Sequence, residues 1–520
     1  MASGAERLER RIQLHNEQRR AQIGRAAVVG IVAGLAAVGF QLAVKYAERG
    51  SHWLAQFLPL PVLLLLTGGI GCLAAQITAQ YAPEAGGSGI PHIKAVLIHL
   101  RVIRPIRLIV VKLVGGLLAL GCGMSLGREG PTVQMGAAVG RLTGDVLRIP
   151  RRSYGALIAA GSGAGLAAAF NAPLAGFIFV MEELKREMSP ITYGTALVAS
   201  VCSVAVTRYL LGQAPSFHIP NPGSAPLQAL LPIAAFGVIA GLAGVAFNKC
   251  ILATIQIRDQ FRIKPWMAGA GVGVLAGFAL VYFPQIAGVG HEVTSDLLNG
   301  KLIGKNFVLL LLAVFAGKLI FTALSYGTGV PGGIFAPILA MGAFLGYAFG
   351  LVMQSVWPGI GFNPAGFGTI GMAAMLSASV RAPLTGVVLI VEMTAEYQLL
   401  YALLIGSFMA YATAELLNDE PIYEALLERD LAKMGRVPAE EDEPQIIEFL
   451  VEPDSDMDGR RIKDLNMPEG ALITGVSRNN RLLVPRGTTQ LRQGDMITAV
   501  VDGDDMMPSL RLHEMAKAPS

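Results

Sequence analysis

The sequence predicts an all-α polytopic membrane protein with broken and tilted helices, followed by a small α+β domain. Three observations carry that reading. Of the 520 residues, 53% are hydrophobic and only 15% are charged, against about 25% charged in soluble domains, and the mean hydropathy is +0.53. The 62 glycines suit tightly packed membrane helices, where small residues let backbones approach. Past about Asp419 the apolar pattern shortens to β-type runs broken by Gly, Pro and Asn-Asn. The net charge of +4 gives no reason to expect a nucleic-acid partner. Cys72, Cys122, Cys202 and Cys250 lie in apolar segments without metal-like spacing and are expected to be core residues.

Taken in order, residues 1–25 are polar and carry six arginines from Arg7 to Arg25. They read as a basic amphipathic helix on the cytoplasmic face, by the positive-inside rule, and not as a signal peptide. The membrane part is expected over 26–430, in two halves, 26–225 and 226–430. Its first spans are 26–44 and 58–79. A perpendicular span takes about 20 apolar residues. Several later segments are shorter, or cut by Gly and Pro: 108–125, 132–146, 156–170 and 173–181. Further candidates are 191–211, 227–247, 266–283, 307–323, 334–353, 370–379, 383–391 and 399–414. Broken helices of this kind meet at binding sites near the bilayer midplane. An acidic linker, 431–445 with PAEEDEP, precedes a small domain over 446–508 with strands at IIEFLVE, ALITGVS and DMITAVV. Residues 509–520 read as a frayed tail.

A weak internal repeat ties the halves together. NAPLAGFIFVMEEL from Asn171 matches RAPLTGVVLIVEMT from Arg381 at Ala-Pro-Leu-x-Gly and again at Glu182 and Glu392, 210 residues apart. Pro131, Gly136, Ala137 and Gly140 match Pro337, Gly342, Ala343 and Gly346 at a spacing of 206. Similarity alone leaves open whether the halves are inverted.

Three strings share one design: GGSGIPHIKAVL from Gly86, GREGPTVQMG from Gly127 and VPGGIFAPILAMG from Val330. Each runs from glycines through a proline into an apolar helix. Proline at the first helical position loses no hydrogen bond, because that N–H would be unpaired. Bare glycine backbone lets a ligand approach, and unpaired N–H groups with the positive helix end favour an anion. No water serves those N–H groups inside a membrane. The three starts are therefore expected to converge on one anion. The Glu129 carboxylate, itself an anion, competes for it.

These strings resemble the CLC family of chloride channels and chloride/proton exchangers, over roughly residues 26–430. The resemblance implies a homodimer with one pore per subunit, an inverted repeat, and a multi-pass protein of the cell membrane with both termini cytoplasmic. It implies chloride as substrate, with no cofactor and no metal. It makes Glu129 the gating glutamate and Glu183 the inner proton-transfer glutamate, and it sets Glu182 aside as a structural partner of nearby bases. Ser88, the backbone of Ile334 and Phe335, and Tyr423 would hold the ion, with Gly87, Gly89 and Gly130 giving it room. Arg128, Pro91, Pro131, Gly333 and Pro337 would support the site. His92 stands where many relatives have glutamate and receives no role. An acid at position 183 favours an exchanger over a passive channel of the same fold.

GSGAGL at Gly161 imitates a dinucleotide fingerprint, but no βαβ unit surrounds it, and helix packing explains its small residues. The stretch from Gly470 to Val500, with turns at Pro485-Arg486-Gly487 and Gly494-Asp495, resembles the TrkA-C (RCK-C) regulatory domain. That resemblance implies dimerisation or a small-molecule ligand, and with it the alternative of a transporter gated through its tail.

Overall fold

The computed structural model describes residues 4–150, 154–185, 190–217, 219, 225–301, 307–434, 445–478, 481–501 and 506–517. It divides into two units, Met1–Leu427 and Glu428–Ser520. The acidic string PAEEDEP lies outside the described residues.

In the first unit the helices run α1 (Gly4–Phe57), α2 (Leu60–Tyr81), α3 (Ile90–Leu97), α4 (Pro105–Gly121), α5 (Glu129–Val146), α6 (Tyr154–Phe170), α7 (Pro173–Phe179) and α8 (Pro190–Leu211). The second half continues with α9 (Leu230–Gln260), α10 (Pro265–Tyr282), α11 (His291–Leu298), α12 (Phe307–Gly327), α13 (Phe335–Val356), α14 (Pro364–Val380), α15 (Pro383–Thr394), α16 (Leu400–Leu416) and α17 (Ile422–Ala432). Among the described residues, eight helices are long and apolar enough to cross a bilayer. Others fall short. The eight residues of α3 span about 12 Å at 1.5 Å per residue. Such pieces survive at membrane depth only where protein covers their ends.

The first helix differs from expectation. No break separates residues 1–25 from the span, and one helix runs from Gly4 to Phe57. No proline interrupts it, and Gly30 and Gly34 press against the backbone of Ala199 and Ser203 on α8. The cysteines differ as well: all are free, Cys122 is buried, and the other three are only partly covered.

Packing repeats between the halves. Helix α5 crosses α6 so closely that a side chain on Gly136 or Gly161 would collide with the other's carbonyl, and Gly342 on α13 meets Gly371 on α14 the same way. GSGAGL therefore lies wholly within α6, where Gly161 and Gly165 are packing positions against α5. The repeat is inverted, and two glutamates make this visible. Glu392, near the end of α15, accepts the N–H groups of Leu174 (3.1 Å) and Ala175 (2.8 Å) at the start of α7. Glu182, past the end of α7, accepts the N–H groups of Leu384 (3.0 Å) and Thr385 (2.7 Å) at the start of α15. The two helices are thus antiparallel, each capped by the other's glutamate. Capping by a carboxylate satisfies orphan N–H groups and complements the helix dipole. Glu182 has this role in place of the expected pairing with nearby bases.

The second unit holds a four-stranded antiparallel sheet in the order β1-β4-β2-β3: β1 (Gln445–Leu450), β2 (Ala471–Arg478), β3 (Arg481–Leu483) and β4 (Met496–Val501). The expected frayed end is instead a helix, α18 (Met506–Ala516), whose Leu512 and Ala516 join the core of Phe449, Val476 and Ile497. The Gly494-Asp495 turn returns the Asp495 carboxylate, 1% exposed, beneath Arg478. Arg478 Nε and Nη2 donate to its two oxygens at 2.7 Å each, and Arg492 N–H donates at 2.9 Å. Burial pushes the Asp495 carboxyl up, but the hydrogen bonds from Arg478 and the Arg492 amide outweigh it and hold it below its usual value.

Two outcomes test this packing. Gly371→Ala is expected to cost about 1–3 kcal/mol through overpacking, read as a lower melting temperature. Gly271→Ala, where a side chain meets open space, is the neutral control. Asp495→Asn is expected to destabilise the tail by about 1–2 kcal/mol, below the value for a fully buried pair, because Arg478 remains 26% exposed. The lowered carboxyl stabilises above its unfolded value of about 4 and loses that contribution as pH falls through the folded value. Hydrogen-exchange protection factors of residues 445–501 in the full chain, each taken against the intrinsic exchange rate at the same pH, should therefore fall in acid for the parent and lose that dependence in the variant.

Candidate anion and proton site

The three glycine-rich loops meet and are stitched together by backbone. Gly127 and Gly333 exchange both hydrogen bonds at 2.7 Å, while Gly87 N–H reaches Val330 O and Gly332 N–H reaches Gly87 O, each at 3.0 Å. A side chain on Gly130 would strike the backbone of both Ser88 and Gly333. Gly89 turns the chain into α3 with φ +80°, the left-handed region that favours glycine. Proline is the second residue of α3 (Pro91) and the third of α5 and α13 (Pro131, Pro337), not the first as expected. The cost is the same, since all four first N–H groups of a helix lack helical partners.

Glu129 is the first residue of α5 and is fully buried. Its carboxylate lies flush against the bare Cα atoms of Gly127 and Gly333. Ala336 N–H donates to Oε1 at 3.2 Å, and the amides of Phe335 and of Glu129 itself also point at the group. The start of α13 thus holds a carboxylate where an anion was expected. Ala336 was missed; it follows Phe335 in GGIFAP and carries one of the same orphan N–H groups. Half-buried Arg128 faces Glu48 as well as Glu129.

Ser88 is fully buried, its hydroxyl accepting Ile90 N–H at 3.3 Å. Tyr423 is fully buried, with its hydroxyl directed at Ser88, and its ring stacks on Phe335 at 6.1 Å between centroids. Tyr326, eight residues before Ile334, was not anticipated: its hydroxyl takes the Ser88 N–H at 3.4 Å. Ile334 is buried as the residue that precedes α13. His92 sits behind the loop with Nδ1 3.2 Å from Gln134 Nε2.

Glu183 lies on a π-helical turn, Val180–Lys185, that continues α7. The wider turn sends Glu182 toward α15 and lets Glu183 face α3, where Lys94 Nζ is 2.6 Å from Oε1. Neighbouring Arg186 lies outside the described residues. Two buried lysines also went unremarked. Lys112 Nζ donates to the carbonyls of Ala85 (2.9 Å) and Gly87 (2.7 Å), bracing the Ser88 loop, and Lys318 Nζ reaches Ser125 Oγ and Gly288 O at 3.2 Å. The signal was present, because a lysine inside an apolar run is a functional candidate by default.

The model of the voltage gated chloride channel family matches residues 70–415, and that of the TrkA-C domain matches 446–507. The chain is 39% identical over 419 residues to the H(+)/Cl(-) exchange transporter ClcA of Vibrio campbellii (strain ATCC BAA-1116), covering 78% of this chain and 89% of the relative. It is 38% identical over 448 residues to the transporter of the same name from Salmonella agona (strain SL483), covering 82% and 93%. Its fold is similar to that of a slow cyanobacterial Cl-/H+ antiporter, with TM-score 0.76, 33% identity, and coverage of 80% of this chain and 99% of that one. A eukaryotic CLC transporter shares the fold at TM-score 0.67 and 23% identity, over 80% of this chain and 74% of that one. With its stitched helix starts, buried Glu129 and inverted repeat, the chain belongs to the voltage gated chloride channel family and carries a TrkA-C domain after its membrane part.

Proposed function

We propose that the chain is a secondary transporter that exchanges chloride for protons across the cell membrane. The observation that carries this reading is the Glu129 carboxylate docked on the amides at the start of α13, 3.2 Å from Ala336 N. A group of that charge, in that place, occupies the position a chloride would take. Protonation removes its charge, weakens its hold on the amides and frees the site. Chloride entry and proton uptake then become one event. The similar proteins named H(+)/Cl(-) exchange transporter, and the similar cyanobacterial antiporter, support exchange over passive conduction.

In this reading Ser88, Tyr423 and the backbone at Ile334 and Phe335 hold the central chloride, with Gly87, Gly89, Gly130 and Gly333 admitting it to bare backbone. Arg128, Pro91, Pro131 and Pro337 support the three loops. Glu183 receives protons from the cytoplasm. Tyr423 is positioned to sense both carboxylates, since Glu129 and Glu183 each contribute to its electrostatic surroundings. The active form is a homodimer with one pore per subunit and both termini cytoplasmic. The TrkA-C domain takes a small molecule that adjusts the flux.

Purified full-length protein in liposomes, with chloride and pH recorded together, tests this. Under a chloride gradient the parent is expected to move protons against their own gradient. Glu183→Gln should keep chloride flux and lose coupled proton movement. Glu129→Gln, a neutral stand-in for the protonated gate, should pass chloride without protons and without the parent's pH dependence. Proton pumping that survives Glu183→Gln would remove Glu183 from the route, and a parent that moves chloride alone would be a channel.

A further inference from the structure

We infer that Lys94 is a positioning residue for proton loading, clamping Glu183 and Glu424 into one three-charge station that accepts a single proton. The inference rests on the proposed role of Glu183 and adds two residues to it. Lys94 Nζ stands 2.6 Å from Glu183 Oε1 and 2.8 Å from Glu424 Oε1. The Lys94 side chain is 9% exposed, that of Glu183 1% and that of Glu424 22%. One ammonium faces two carboxylates, so these three groups sum to one net negative charge. A buried net charge is costly, and one proton brings it to zero. A second proton would leave the ammonium with no anion and the three groups with a net positive charge. The charge count therefore favours loading one proton at a time.

Other ionisable groups lie on the elements around these three. On α3, His92 is turned to Gln134. On the π turn, Glu182 is committed to α15 and Lys185 Nζ points toward Gly155. On α6 the one titratable side chain is Tyr154, which donates to Asp145 at 3.0 Å, and α7 carries none. On α17, Tyr423 stands beside Glu424, and Glu428 and Arg429 follow one turn further on.

Placement links this station to the anion. Lys94 stands on α3, whose start carries Ser88, and Glu424 follows Tyr423 on α17. The same two helices present hydroxyls to the ion site and charges to the proton station. A shift of either helix on chloride binding moves Lys94 or Glu424 relative to Glu183.

The test is the pH dependence of coupled proton flux in proteoliposomes, with equal pH on both sides and a chloride gradient as the driving force. Lys94→Met removes the cation and leaves two carboxylates side by side. The midpoint should rise by about one pH unit or more, a tenfold change in proton concentration. Glu424→Gln leaves Lys94 to Glu183 alone, and the midpoint should fall. Lys94→Arg keeps the charge and should stay near the parent. Should Lys94→Met not fold, the fall in Glu424→Gln and the retention in Lys94→Arg still decide the matter. Parent-like midpoints in both Lys94→Met and Glu424→Gln, with Glu183→Gln uncoupled, would overturn the clamp and leave Glu183 in place. Coupled pumping by Glu183→Gln would overturn the reading beneath it.

Discussion

Everything at the centre of this protein depends on peptide N–H groups that have no partner within their own helix. Helices α3, α5 and α13 begin inside the protein, where water is absent and orphan donors are costly. The chain resolves part of that cost by pairing loop with loop, Gly127 with Gly333 and Gly87 with Val330 and Gly332. The remaining donors at the start of α13 take the Glu129 carboxylate. Only glycine allows this, because any side chain at 127 or 333 would occupy the place of that carboxylate. Backbone, glycine and carboxylate form one construction.

The same constraint explains the seam between the halves. Helices α7 and α15 are too short to span, so their starts fall at membrane depth and their N–H groups need acceptors. Each receives a glutamate from the other half, and the exchange is symmetric because the halves are inverted copies. A glutamate at this position thus brings a structural cap in both halves. The next residue is free to differ: Glu183 in the first half, Met393 in the second. The inner acid is an asymmetric addition to a symmetric frame, and the π turn is the local change that aims it.

Lysines supply the complementary charge without touching the place of the ion. Lys112 braces the Ser88 loop through carbonyls, and Lys94 stands with the inner carboxylates. Positive charge is therefore placed behind helix starts and beside acids, while the proposed ion site keeps neutral donors. A lysine in direct contact would hold an anion too tightly to release it, whereas amide and hydroxyl donors hold it reversibly.

The sequence by itself determined the class of fold, the three helix starts and the repeat, and its family resemblance singled out the two glutamates proposed for transport roles. It could do so because apolar length, Gly-Pro punctuation and a carboxylate in an apolar run are local signals. Similarity could not give the direction of the repeat, since an inverted copy and a parallel copy read alike along the chain. Only the tertiary structure set α7 against α15 and turned Glu182 from an expected partner of nearby bases into a cap. Only it joined residues 1–25 to the first span and folded the tail end into α18. Lys94 and Glu424 are 330 residues apart, and no periodicity links them. Their meeting at Glu183 depends on where α3, α17 and the π turn pack, and long-range packing is what a linear pattern does not encode.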